Sequence, residues 1–326
     1  MHGCTRPETV GGAVRAITAP LYPDPAPGFF VYHDGGITYL PGADVEPRPL
    51  SEAGDLPTVR SVAACSGPRG RKLAALVVGG RAADSPNTPS AEPPPWVTGA
   101  ELRLAWTQDR VLSLSAPALE GEASPWRVKA GRFAGEDANV LVFVYTQARF
   151  DDVVRRRPWI YRVVADNDGP PHLDPRWRGS SFSHPFRDAT FCDLTGTGEG
   201  EIAALEVDRD GGRLLTAYHF EGFGVEGLAP SVKLPEVEDR LEAADWVGER
   251  QQELVVRCAD GRFVFYQLDA EADELREVLS VDGPPDVLGW LVTDKHSGEP
   301  GDILCVLPDG ETWATDSWQF DPRLMH

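Results

Sequence analysis

Asp-Gly pairs flanked by strand-forming residues recur along this chain, in Val31–Tyr39, Val207–Leu215, Val256–Val264 and Val306–Trp313. Each stretch is an apolar or β-branched run, a turn and a second such run. Asp and Gly both tolerate the positive φ angles of tight hairpin turns, so the pattern predicts short antiparallel hairpins. Their recurrence limits the fold to an array of small antiparallel sheets. A second recurring segment stands ahead of the hairpins: Ala13–Thr18, Val59–Cys65, Trp126–Phe133, Phe186–Asp193, Arg240–Trp246 and Val287–Val292. All but the first lead through a polar or Gly-rich loop into an apolar run. Those runs are Leu73–Val78, Val140–Val144, Ile202–Val207, Leu254–Cys258 and Ile303–Val306. Their unbroken apolar character predicts strands buried on both faces.

The first strands begin near residues 13, 59, 126, 186, 240 and 286, a spacing of 46 to 67 residues. A four-stranded sheet with its turns takes about 40–50 residues, the period of a propeller blade. The expected fold is therefore all-β: a β-propeller of four-stranded antiparallel blades, most simply six. Five or seven also fit, because residues 80–125 parse poorly. The chain is then one domain, 1–326, with blades near 13–58, 59–125, 126–185, 186–239, 240–285 and 286–326. Radial closure also removes the exposed edge that an isolated sheet would present. The 33 glycines and 29 prolines suit many short strands joined by many turns.

The 31 basic and 51 acidic residues give a net charge of −20. Such a surface repels phosphate backbones and anionic lipids, which argues against nucleic-acid and membrane partners. The same acidity also serves solubility. The N-terminal residues lack a basic start followed by an apolar core, and no apolar run approaches the ~18 residues that span a bilayer. Cys65, Cys192, Cys258 and Cys305 all sit in strand-like runs. Buried free thiols in a reducing compartment are expected, hence a cytoplasmic location.

The segment Asp193–Glu201, followed by Ile202-Ala-Ala-Leu205, resembles the FG-GAP/VCBS repeat of integrin α-subunit propellers and many bacterial proteins. The frame recurs as Asp245–Glu253, decays in Arg132–Asn139 and leaves a worn copy in Asp294–Asp302. The resemblance spans blades three to six, with one close match. It implies a loop between first and second strands that can coordinate calcium. The corresponding positions are Asp193, Thr195, Thr197 and Glu201, and then Asp245, Val247, Glu249 and Glu253. Calcium takes 6–8 oxygens, several of them charged, and hydroxyls or valine stand where carboxylates are needed. The alternative is that Asp193 and Asp245 brace their turns by accepting backbone N–H bonds.

Blades two and three lack the short Asp-Gly turn. They carry instead the proline-rich Arg81–Pro95 and the arginine-rich Gln147–Pro158. With Arg176–Pro185, the connection entering blade four, these loops are expected on one rim of the propeller. Rigid scaffolds commonly display function on such loops. The candidate binding set is Arg149, Arg155, Arg156, Arg157, Trp177, Arg178 and His184, with Phe150 and Arg176 nearby. Arg and Trp are frequent binding hot spots, and Arg grips carboxylates bidentately. Pairing of Arg155–Arg157 with Asp151 and Asp152 is the purely structural alternative.

No nucleophile elbow, phosphate loop, zinc-protease helix or Cys-x-x-Cys pair is present in the sequence. The run Gly196–Gly200 precedes a strand, whereas a dinucleotide loop opens a helix. The leading expectation is a non-catalytic protein-interaction scaffold with no cofactor, using the loop face of blades two to four. A carbohydrate-binding propeller is the first alternative. Its weakness is that Trp126, Trp159, Trp246, Trp290 and Trp313 occupy dissimilar positions. An enzyme with an acid–base site around His172, His184 and Asp188, or in a central channel, is the second.

Overall fold

The computed structural model describes residues 14–18, 28–33, 36–41, 48–49, 59–66, 72–79, 99–108, 111–115, 117–119, 123–147, 154–164, 170–179, 181–248, 250–287, 289–294, 301–307 and 312–314. All regular structure among them is strand. The first sheet is β1 (Val14–Thr18), β2 (Gly28–His33), β3 (Gly36–Pro41) and β4 (Arg48–Pro49). The second is β5 (Val59–Ser66), β6 (Lys72–Gly79), β7 (Ala100–Gln108) and β8 (Val111–Leu114). The third is β9 (Ser124–Phe133), β10 (Glu136–Gln147), β11 (Val154–Val164) and β12 (His172–Arg178).

The fourth sheet holds β13 (Phe186–Cys192), β14 (Glu201–Val207), β15 (Arg213–Phe220), β16 (Val225–Gly227) and β17 (Val232–Leu234). The fifth holds β18 (Val237–Ala244), β19 (Glu253–Cys258), β20 (Phe263–Asp269) and β21 (Glu274–Val281). The last shows β22 (Gly289–Val292), β23 (Ile303–Val306) and β24 (Thr312–Ala314). Every sheet follows sequence order with antiparallel neighbours, and four of them have four strands. In the fourth sheet the outermost strand is split, β16 and β17 both pairing with β15. Pro230 lies between the two pieces, and without an N–H it cannot continue the ladder.

The chain divides into two compact units, Met1–Ala130 with Ala138–Ser180, and Gly131–Asp137 with Ser181–His326. In the first unit β1 lies beside β5. In the second, β18 neighbours both β13 and β22. First strand beside first strand, with meanders stacked face to face, is a β-propeller arrangement. The cores lie between the stacked sheets. Ala75, Val77, Leu102 and Leu104 pack against Val140, Val142, Val144 and Tyr161 in the first unit. In the second, Leu205, Leu215 and Ala217 meet Leu241, Leu254 and Val256, and Val255 and Phe265 meet Trp290 and Ile303. Strands β14 and β19 are buried along almost their whole length, as their apolar sequences require.

The Asp-Gly turns differ in detail from the expectation. In 208–212 and 258–262 only the glycine has positive φ, 84° at Gly211 and 94° at Gly261. The N–H groups of Gly211 and Gly261 bond to the carbonyls of Asp208 and Cys258, and those residues donate to Gly212 and Arg262. Each is thus a type I turn closed by a glycine bulge, a three-residue loop that leaves the Asp unstrained. The Arg132–Asn139 frame is corrected more strongly. It holds no loop, because Ala134 (φ 50°) and Gly135 (φ 74°) form a two-residue turn leading directly into β10.

Candidate functional site

The arginine-rich stretch of the first unit is strand rather than loop. Strand β10 continues to Gln147 and β11 begins at Val154, so Arg155, Arg156 and Arg157 pair with Thr146, Tyr145 and Val144. Side chains alternate along a strand, which sends Arg156 to one face and Arg157 to the other. Arg156 donates to the Tyr145 hydroxyl (3.0 Å) and lies over the Trp126 and Tyr145 rings at 5.8 and 5.6 Å. Trp126 and Tyr145 are buried.

Trp177 and Arg178 likewise belong to β12, not to the connection entering the next sheet. Pairing with β11 sets Arg178 opposite Trp159 and Trp177 opposite Ile160. The Arg178 guanidinium stacks over Trp159 at 5.2 Å and Tyr161 at 5.7 Å while remaining exposed. The Trp177 ring covers Gly179, where a Cβ atom would fall 2.3 Å from it. Arg176 is exposed on the same strand. The sequence-predicted set is therefore divided: Arg156 and Trp177 share one face of the sheet, Arg157 and Arg178 the other. Arg149, Phe150, Asp151, Asp152 and the Arg81–Pro95 segment lie outside the described residues, as does the side chain of Arg155.

His184 belongs to the second unit, and its partner is Glu206 rather than Asp188. The Glu206 carboxylate is completely buried near the end of β14. Its oxygens accept the His184 N–H (2.9 Å), the Tyr218 hydroxyl (2.8 Å) and the Thr216 hydroxyl (2.7 Å). His184 Nδ1 stands 3.5 Å from Glu206, with the imidazole half-exposed. Burial pushes the Tyr218 phenol well up, so it acts as a hydrogen-bond donor, not a base. Asp188 is fully buried and accepts the Leu241 N–H at 2.9 Å, tying β13 to β18. His172 is exposed at the start of β12.

The Asp193–Glu201 loop folds on itself. Asp193 Oδ2 accepts the Gly198 N–H at 2.9 Å. Glu201 accepts the Leu194 N–H (2.8 Å) and the Thr195 hydroxyl (2.7 Å), and Thr195 bonds Thr197 at 2.9 Å. A calcium ion would need these oxygens turned inward and free of donors. Only Asp193 Oδ1 lacks a hydrogen bond, so the residues present do not fit the ion. They fit a bracing role. The Asp193 N–H bonds the Gln252 side chain (2.8 Å), and the Gln252 N–H returns to the Asp193 carbonyl (2.9 Å). The pattern repeats one blade on: Asp245 accepts the Gly248 N–H, and its own N–H bonds Asp294 Oδ1 at 2.7 Å. Glu249 lies outside the described residues.

Sequence reading missed the Glu206 cluster and a second group on the β15–β16 hairpin. There His219 Nε2 stands 3.0 Å from Glu221, and Glu226 pairs directly opposite His219. A His-x-Glu stretch followed by a cross-strand Glu was the readable signal.

No family model matches the chain, and no curated protein matches it. Among solved structures, lead-soaked BBS1N in complex with ARL6DN is similar, with TM-score 0.52 and 10% identity over 94% of this chain and 93% of that one. BP39L lectin from Burkholderia pseudomallei is similar with TM-score 0.59 and 15% identity, over 92% of this chain and 80% of that one. At such identities the likeness is one of fold alone, the β-propeller.

Proposed function

We propose that the chain closes as a single six-bladed propeller and serves as a non-catalytic scaffold for a protein partner presenting carboxylates. The observation that carries this reading is the exposed Arg178 guanidinium on β12, the last strand of its sheet, held over Trp159 and Tyr161. Stacking fixes the guanidinium plane before a partner arrives and leaves its N–H edge available for a bidentate carboxylate. Arg176, two residues earlier and also exposed, adds a second positive charge on a chain whose net charge is −20. The six sheets among the described residues support the blade count. The complex formed by BBS1N with ARL6DN is a precedent for a partner on this fold.

The lectin likeness raises the carbohydrate alternative, but Trp126, Trp246 and Trp290 are core residues and cannot serve as repeated sugar platforms. We read the Asp193–Glu201 loop as a brace and assign no cofactor. Cys192, Cys258 and Cys305 are buried free thiols, which supports a reducing, cytoplasmic setting.

The test is affinity purification from the source cell with the wild-type chain and with R176A/R178A. A specific partner retained by the wild type and lost from the double variant is expected. Equal recovery by both, or a glycan-array signal in place of a protein, overturns the reading.

A further inference from the structure

The β15–β16 hairpin ends in Glu221-Gly-Phe-Gly224, and at its tip Phe223 is 99% exposed. It is the one large apolar side chain so exposed among the described residues. A singly exposed apolar residue needs no explanation in general. Three features set this one apart.

The turn is fixed without a partner. The Glu221 N–H bonds the Gly224 carbonyl, and the Phe223 N–H bonds the Glu221 carbonyl, both at 2.9 Å. His219 adds a contact to Glu221 at 3.0 Å. The aromatic ring is therefore presented by an ordered backbone, and little freedom would be lost on docking. The tip is also slender. Gly222, at φ +77°, and Gly224 flank the ring, and a Cβ at either position would meet nothing within 4 Å. A phenyl ring between two residues without side chains can enter a deep pocket. Finally, the base of the tip is acidic, with exposed Glu221 and Glu226 on either strand.

We propose that this hairpin is a docking finger: Phe223 enters an apolar pocket on a protein partner, and Glu221 and Glu226 meet a rim of Lys and Arg. An apolar centre inside a polar rim is the usual anatomy of an interface, and charge complementarity selects the partner and its orientation. The acidic rim disfavours an anionic membrane surface as the occupant. The finger is independent of the Arg176–Arg178 strand, so the two can fail separately.

The experiment places a photo-crosslinker at the tip, Phe223→p-benzoylphenylalanine, in the full chain within its source cell. The crosslinked protein and peptide are identified by mass spectrometry. The captured protein is then purified and titrated calorimetrically against wild type, F223S, E221Q/E226Q and R176A/R178A. Expected are a crosslinked peptide next to Lys or Arg, binding weakened at least tenfold by F223S and several-fold by E221Q/E226Q. Phe223 is almost fully exposed, so F223S should melt as the wild type does. Equal affinity of F223S for the captured protein overturns the proposal. So does a crosslink to lipid, a crosslinked site without basic residues, or no adduct at position 223. Loss in R176A/R178A with F223S unaffected would reject the finger and leave the strand proposal standing.

Discussion

Glu201 and Glu253 occupy the same position in successive loops, yet only Glu201 has both carboxylate oxygens satisfied. Each accepts the N–H of the residue seven positions earlier, Leu194 and Trp246, at 2.8 Å. The second Glu201 oxygen takes the Thr195 hydroxyl, but Val247 stands where that threonine would be and Glu253 Oε1 has no hydrogen bond.

The mismatch makes stability depend on pH. Burial pushes the Glu253 carboxyl up from 4.5 to about 7, against the opposing pull of the Trp246 N–H. A folded-state value above the unfolded one means the folded chain holds a proton that the unfolded chain has released. The stability contribution is full below about pH 4.5 and is lost as pH rises through about 7. The loss is on the order of 3 kcal/mol. E253Q should remove this dependence and be more stable than wild type at pH 8. V247T should recover part of the same gain, about 1 kcal/mol, by supplying the missing hydroxyl. Urea denaturation at pH 5 and pH 8 checks both, and parallel pH profiles for wild type and E253Q would refute the assignment.

Gly200 is held against the β9–β10 turn. Its φ is +81°, and a Cβ there would fall 2.5 Å from the Arg132 carbonyl oxygen. Backbone cannot move aside as a flexible side chain can. G200A should therefore cost at least about 2 kcal/mol, combining the left-handed conformation with the clash. Gly211 has similar φ but open surroundings, so G211A should cost only about 1 kcal/mol. Thermal melts of the two variants separate strain from crowding.

Strand positions were legible because alternation and apolar runs report burial directly. The first strands found at Val59–Ser66 and Phe186–Cys192 begin where the sequence put them. Arg155–Arg157 misled, because three successive arginines beside Asp151 and Asp152 read as solvated loop. The strand persists there because Arg156 rests on Trp126 and Tyr145, contacts that no local pattern reveals. The Glu206 cluster was hidden for a related reason: His184, Glu206 and Tyr218 are remote in sequence and meet only through β13–β14 and β14–β15 pairing. One clue was present. A glutamate closing the apolar run Ile202–Val207 had to find donors or remain at the surface.

Calcium offers a direct check on the braced loops. A site with Kd of about 10 µM would add about 2.7 kcal/mol of stability at 1 mM ion. With Asp193 Oδ2 and both Glu201 oxygens already accepting loop donors, no such gain is expected. The melting temperature should be the same, within about 1 °C, in 1 mM calcium and in excess chelator. A rise of several degrees with calcium would mean that the loop reopens around the ion.

Glu206 is the sharpest test of the polar core. Three donors converge on a carboxylate with no exposure, and two of them, the Tyr218 and Thr216 hydroxyls, are themselves buried. E206A would leave those hydroxyls and the His184 N–H without their acceptor, beside a cavity. Each orphaned buried donor costs about 1–3 kcal/mol, so the variant should lose roughly 3–5 kcal/mol. E206Q keeps one carbonyl oxygen but turns an amide donor toward the remaining hydrogens, so it should fall between E206A and the wild type. H184A removes only a half-exposed ring and leaves the backbone N–H in place, so its loss should stay below about 1 kcal/mol. The ranking E206A, E206Q, H184A in chemical denaturation follows from a structural carboxylate. If H184A proved as damaging as E206A, the imidazole would be the group that holds the Glu206 side chain in place, and the hydroxyls only secondary.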